Sequence, residues 1–175
     1  MGVEEIVGQL KKRFIIVAVI LLVALGALWL LLSGARSLKD TLVRQNETRA
    51  QQTLATINQA LKAYNEKYGG YPDDLRRLRG GEEGRPESAP PEKARLLDTA
   101  LAQDQFERNG YRFRYRGSQP EQRWAATVQL YSGYRLTAEP LTPGAGGNAF
   151  YYADENGKIH VRPGQAAGPT DPLVQ

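Results

Sequence analysis

Between Phe14 and Leu32 the chain runs for nineteen residues without one charged or strongly polar side chain. As a helix, such a run rises about 28 Å, close to the hydrocarbon thickness of a bilayer. A helix buried in an ordinary domain seldom continues so far without a polar face. The run therefore predicts a transmembrane helix over 14–35. A cleaved signal peptide is the competing reading: Lys11, Lys12 and Arg13 make a basic leader, and Ser33, Gly34 and Ala35 suit a peptidase. The length of the run and the bulk of Trp29, Leu30, Leu31 and Leu32 at its end favour retention. Val17, Ile20, Leu21, Ala24 and Leu28 form a strip for contact with other membrane helices, and the small Ala24 and Ala27 permit close approach.

The three clustered cations before the run make residues 1–13 a short cytoplasmic tail by the positive-inside tendency. Everything after the run then lies outside, in a periplasm or beyond, so the expected location is a bacterial inner membrane crossed once. The chain has no cysteine, which excludes disulfides, thiolate metal sites and cysteine nucleophiles. Its formal charge of +4 is modest once the basic leader is set aside. A mixed surface explains it better than a nucleic-acid partner, and none is expected.

Helical signals continue past the apolar run, with neither proline nor glycine from Ser37 to Glu66. Ala50, Leu54, Ile57, Leu61 and Tyr64 recur every three or four residues and share one face. Gln51, Asn58 and Lys62 lie off that stripe. One helix from about Phe14 to Glu66 follows, apolar all round at first and amphipathic over 36–68. Gly69, Gly70 and Pro72 end it. Asp73 and Asp74 read as caps of a short turn through Leu75 and Leu78. Glycine, proline and charge dominate 80–91, which reads as a flexible loop, and a second helical segment is expected over Pro91–Arg108.

From Gly110 the period changes to two. Tyr111, Phe113 and Tyr115 alternate with Arg112, Arg114 and Arg116, as in a strand with one packed and one wet face. Aromatics and arginines on opposite faces cannot together make a base-stacking platform. The aromatics are instead expected to pack beneath the helix stripe. Further strands are expected over Ala125–Tyr131 and Tyr134–Ala138, with Ser132 and Gly133 either turning between them or bulging one long strand, followed by a terminal hairpin of Ala149–Ala153 and Lys158–Val161. An irregular tail held by Leu173 and Val174 completes the 69–175 domain.

This layout resembles the type IV pilin-like proteins. The resemblance rests on Asn46-Glu47-Thr48-Arg49-Ala50, Leu54-Ala55-Thr56-Ile57-Asn58 and Tyr64 to Pro72 in the helix and its exit. It continues through Gly110 to Tyr115, Tyr134 to Pro140, Thr142-Pro143-Gly144 and Phe150 to Ile159. It implies an α+β fold, a long N-terminal transmembrane helix packed on a small antiparallel sheet domain. It also implies a structural or assembly subunit whose partners are membrane lipids and other transmembrane helices, in a complex or a pilin-like homo-oligomer. Arg13 stands where the family has its cleavage glycine and Ala18 where it has an acidic residue, so an uncleaved accessory subunit of a large membrane complex is the alternative.

No constellation of residues points to catalysis, and no cofactor is expected. His160 is the single histidine and lacks a serine nucleophile motif. Asp154, Glu155 and Asn156 before Gly157 hold oxygen ligands, but only a fragment of a calcium loop, and an Asn-Gly turn accounts for them. The chain is expected not to be an enzyme. An exterior ligand-binding module is the remaining alternative; it needs a concave aromatic pocket, with Tyr111, Phe113, Tyr115, Tyr151 and Tyr152 exposed to solvent.

Overall fold

The computed structural model describes the backbone of residues 3–80 and 89–174, with side chains described at 17–27, 29, 38–80, 89–121 and 123–174. Most of the loop expected over 80–91 lies outside the described residues. The chain divides into two compact units, Met1–Thr41 and Leu42–Gln175. Helix α1 spans Val3–Tyr68. In the first unit Val17, Ile20 and Leu21 are each more than half exposed. Ala24 and Ala27 are exposed as well, while Leu28 lies outside the described side chains.

Among the described residues no helix is long and apolar enough to cross a membrane. Of the expected 14–35 span, the side chains of 14–16, 28 and 30–35 lie outside the described residues. With no membrane-crossing helix among the described residues, the expectation of a transmembrane helix is overturned, and with it such a helix as the long element of the fold. Single-pass topology, inner-membrane location, and lipids or other transmembrane helices as partners lose their support for the same reason.

The second unit is α+β: an open antiparallel sheet, two short 3-10 turns and the C-terminal part of α1. The strands are β1 (Gln105–Arg108), β2 (Tyr111–Ala125), β3 (Val128–Pro140), β4 (Ala149–Asp154) and β5 (Ile159–Pro163), in that spatial order. Asn109 and Gly110, both at positive φ, join β1 to β2, the backbone that a two-residue primed hairpin turn demands. The expected helix over Pro91–Arg108 is absent. Pro91–Lys93 is one 3-10 turn, and the segment ends as strand β1, where Phe106 stacks on Phe113 with ring centroids 4.8 Å apart. Ser132 and Gly133 do not turn the chain: most of Ala125–Tyr131 and all of Tyr134–Ala138 lie in the one long strand β3, and the β2–β3 turn falls at Ala126-Thr127, with Ala126 at φ 52°.

The core lies between the helix stripe and the inner sheet face. Ala50, Leu54, Ile57, Leu61 and Tyr64 join Tyr111, Phe113, Tyr115, Leu136 and Tyr151 in one buried cluster. Tyrosine supplies much of its bulk, and each hydroxyl needs a partner once out of water. Tyr111 donates to Ala149 O (3.0 Å) and Tyr115 to Pro72 O (2.6 Å). Tyr64 donates to Pro91 O (3.1 Å) and Tyr68 to Ala89 O (2.6 Å). The same side chains that fill the core thus fix the connections crossing it. The C-terminal tail lies along β5, where Val161 N donates to Pro172 O (2.8 Å) and Val174 N to Ile159 O (2.9 Å).

Candidate functional site

Past the core stripe, α1 carries a second, polar stripe. Ala55, Asn58, Gln59, Lys62, Asn65 and Glu66 recur at helical spacing and form one wall of a cleft of about 440 Å³. The opposite wall is the β4–β5 turn, Glu155-Asn156-Gly157, with Ile159. Tyr71 and Tyr134 complete the lining.

Asn58 is the joint of this arrangement. Although buried, its amide is satisfied on both sides: Tyr134 Oη donates to Asn58 Oδ1 (3.1 Å), and Asn58 Nδ2 donates to Gly157 O (3.4 Å). It therefore links helix, sheet and turn. Tyr71 is fixed by reciprocal backbone bonds with Tyr131 of 2.8 and 2.9 Å. Burial pushes the pKa of both Tyr71 and Tyr134 up, so both hydroxyls are neutral at physiological pH. Lys62 and Glu66 approach to 4.0 Å on the exposed rim, where an ion pair contributes little. The cleft thus offers amides, phenols and one further carboxylate, Glu155: a lining of hydrogen-bond donors and acceptors with little net charge.

The β4–β5 turn is built by its own backbone. Gly157, at φ 70°, donates its amide to Asp154 O (2.8 Å), and Asn156 N donates to Asp154 Oδ1 (3.1 Å). Asp154 is buried and spent on this turn. Among the described residues no group of three or more histidine, cysteine or acidic side chains is placed to hold a metal ion. His160 packs edge-on against Tyr152, and its Nδ1 lies 2.6 Å from Asp171 O, within the contact that seats the tail.

A second hollow, of about 410 Å³, opens where β1 begins and includes Asp73, Asp104, Arg116, Gly117 and Tyr131. Beside it Asp74 caps the 3-10 turn Leu75–Leu78, accepting from Arg76 N (2.7 Å) and pairing with the Arg76 guanidinium. Burial pushes Asp74 upward, but the bonds from Arg76 outweigh it and hold the carboxyl below its ordinary pKa. Asp104 goes the other way: burial, with the neighbouring Asp74 charge, raises it to about 6. A raised carboxyl pKa favours the folded state below about pH 4, and that contribution is lost as pH rises through 6. Asp104→Asn keeps the acceptor for Leu75 N (2.8 Å) without the charge. Its unfolding free energy in urea is expected to exceed that of the native chain by about 1 kcal/mol at pH 8, after solvent screening, with no gain at pH 4.

Tyr111, Phe113, Tyr115, Tyr151 and Tyr152 are all buried, so they line no open aromatic pocket. The cleft is built instead from polar helix positions and a turn. Of these, Asn58 and Lys62 stand out in the sequence as polar positions beside the apolar stripe. Gln59, Asn65 and Tyr71 carry no local signal, because the wall facing them is nearly a hundred residues away in the chain.

No family model, no curated protein and no solved structure matches the chain. With no membrane-crossing helix among the described residues, the pilin-like resemblance is overturned. The structural or assembly role it implied, in a filament or a membrane complex, goes with it.

Proposed function

We propose that the chain is a noncatalytic binding module whose second unit holds a small, uncharged, hydrogen-bonding ligand in the cleft between α1 and the β4–β5 turn. The cleft itself supports this reading most strongly: about 440 Å³, within the usual size of ligand sites, with convergent polar groups. Its amides and hydroxyls suit a ligand rich in hydroxyl or amide groups. Lys62 and Glu66 offset one another at the rim, leaving Glu155 as the one further charge of the lining, which disfavours an anionic ligand. Asn58, fastened to both Tyr134 and Gly157, makes the walls largely preformed, which lowers the ordering cost of binding.

Gln59 is exposed on the helix wall, so a bulky side chain there fills the cleft and leaves the core intact. Calorimetric titration of the full chain with a panel of monosaccharides, polyols and small amides is expected to identify a binder. Gln59→Trp is expected to weaken that binder at least tenfold with the melting temperature unchanged. Undiminished affinity in Gln59→Trp, or a panel without any binder, would contradict the assignment.

A further inference from the structure

Among the described residues, three arginines of the outer sheet face form ion pairs. Arg112 pairs with Glu107 (2.7 Å), Arg114 with Glu139 (3.0 Å) and Arg162 with Asp171 (3.7 Å). Arg116 and Arg135 do not. They stand directly opposite one another across β2 and β3, both are exposed, and neither has an ion-pair partner among the described residues. Like charges facing each other across a ladder repel, and Asp154, opposite Arg135 on β4, is buried in its own turn and makes no ion pair with it. An anion placed between the two guanidiniums would reverse the sign of that repulsion.

We propose that Arg116 and Arg135 clamp a carboxylate presented by an acidic, extended segment of a partner protein. Contact between the β1 side and β2 ends at Tyr115, whose amide donates to Asp104 O (2.8 Å), so from Gly117 onward the outer edge of β2 carries no neighbouring strand among the described residues. An added strand can use that edge for main-chain hydrogen bonds while alternate side chains reach the arginine face. The hollow of about 410 Å³ lies at this point, between Gln105 and Tyr131. Its two carboxylates are already engaged, Asp73 with Arg77 (3.0 Å) and Asp104 with the Leu75 amide (2.8 Å). Arg135 is supported by the Tyr152 ring, 5.9 Å from its guanidinium carbon, and a planar guanidinium suits bidentate carboxylate binding. A nucleic-acid backbone fits less well, because Glu107 and Glu139 interrupt the continuous basic track that successive phosphates require.

The test is fluorescence anisotropy on the full chain with a labelled heptapeptide of alternating valine and glutamate, its valine–glutamine counterpart and a single-stranded oligonucleotide. The glutamate peptide is expected to bind, weakening with salt, and at least tenfold more tightly than the glutamine peptide. Arg116→Gln combined with Arg135→Gln should lose at least tenfold in affinity, with a melting temperature equal to or above that of the native chain because the repulsion is gone. Arg116→Lys combined with Arg135→Lys should fall between, since charge is kept and the planar fork is lost. Equal binding of the two peptides, full affinity in the double glutamine variant, or tighter binding of the oligonucleotide would overturn the proposal. So would self-association of the native chain that the double glutamine variant abolishes, which would assign the clamp to a second copy.

Discussion

Phe113→Ala is expected to lower the unfolding free energy of the second unit by about 3–5 kcal/mol, measured by urea denaturation. Phe113 is 1% exposed, on the strand that carries Tyr111 and Tyr115 beneath the helix stripe. Its ring also stacks on Phe106 at an interplanar angle of 9°, and that contact seats the short strand β1. Truncation removes buried apolar area and leaves a cavity between elements that cannot close around it. β1 pairs over only four residues, so exchange of its amides is expected to accelerate more than that of β3. A loss below 1 kcal/mol would mean that the sheet does not pack as described.

Gly147→Ala is expected to cost about 1–3 kcal/mol by overpacking. The glycine is buried before β4, and a methyl group there would run into the Tyr111 hydroxyl and ring, with Cζ at 2.5 Å. Tyr111 has no room to withdraw. It is fully buried, and its hydroxyl donates to Ala149 O. Tyr111→Phe in the Gly147→Ala background should recover part of the loss by removing the clashing oxygen, although Ala149 O then lacks its donor. The two substitutions are therefore expected to be non-additive in a double-mutant cycle.

Period and punctuation made much of the second unit legible in sequence. The stripe from Ala50 to Tyr64, the alternation from Tyr111 to Arg116 and the stop at Gly69-Gly70 correspond to a helix face, a strand and a helix end. The segment before Gly110 was less transparent. Asn109-Gly110 is a strong hairpin signal, but helix-forming Leu96, Leu97, Ala100 and Leu101 just upstream mask the four-residue strand, whose partner lies across the turn. The β2–β3 turn at Ala126-Thr127 lacks glycine, proline and asparagine altogether, so residues without turn character conceal it.

The apolar run was misleading in a different way. Hydropathy over Phe14–Leu32 reports what a segment avoids, not what surrounds it, and among the described residues it does not amount to a membrane-crossing helix. The candidate cleft was hardly legible at all. Asn58 is polar at a buried place, which is informative only once Tyr134 and Gly157 are seen to meet it. Likewise, nothing in the sequence singles out Arg116 with Arg135; it is the strand register that sets them face to face.

The most direct test of the binding-module account is residue-resolved mapping of the full chain by amide chemical shifts during titration with the tightest binder from the neutral panel. The account predicts saturable shifts concentrated at Asn58, Gln59, Lys62, Asn156 and Gly157, with the amides of β1 and of the tail unmoved. Saturable shifts confined to another surface, or none at these five residues, would contradict it.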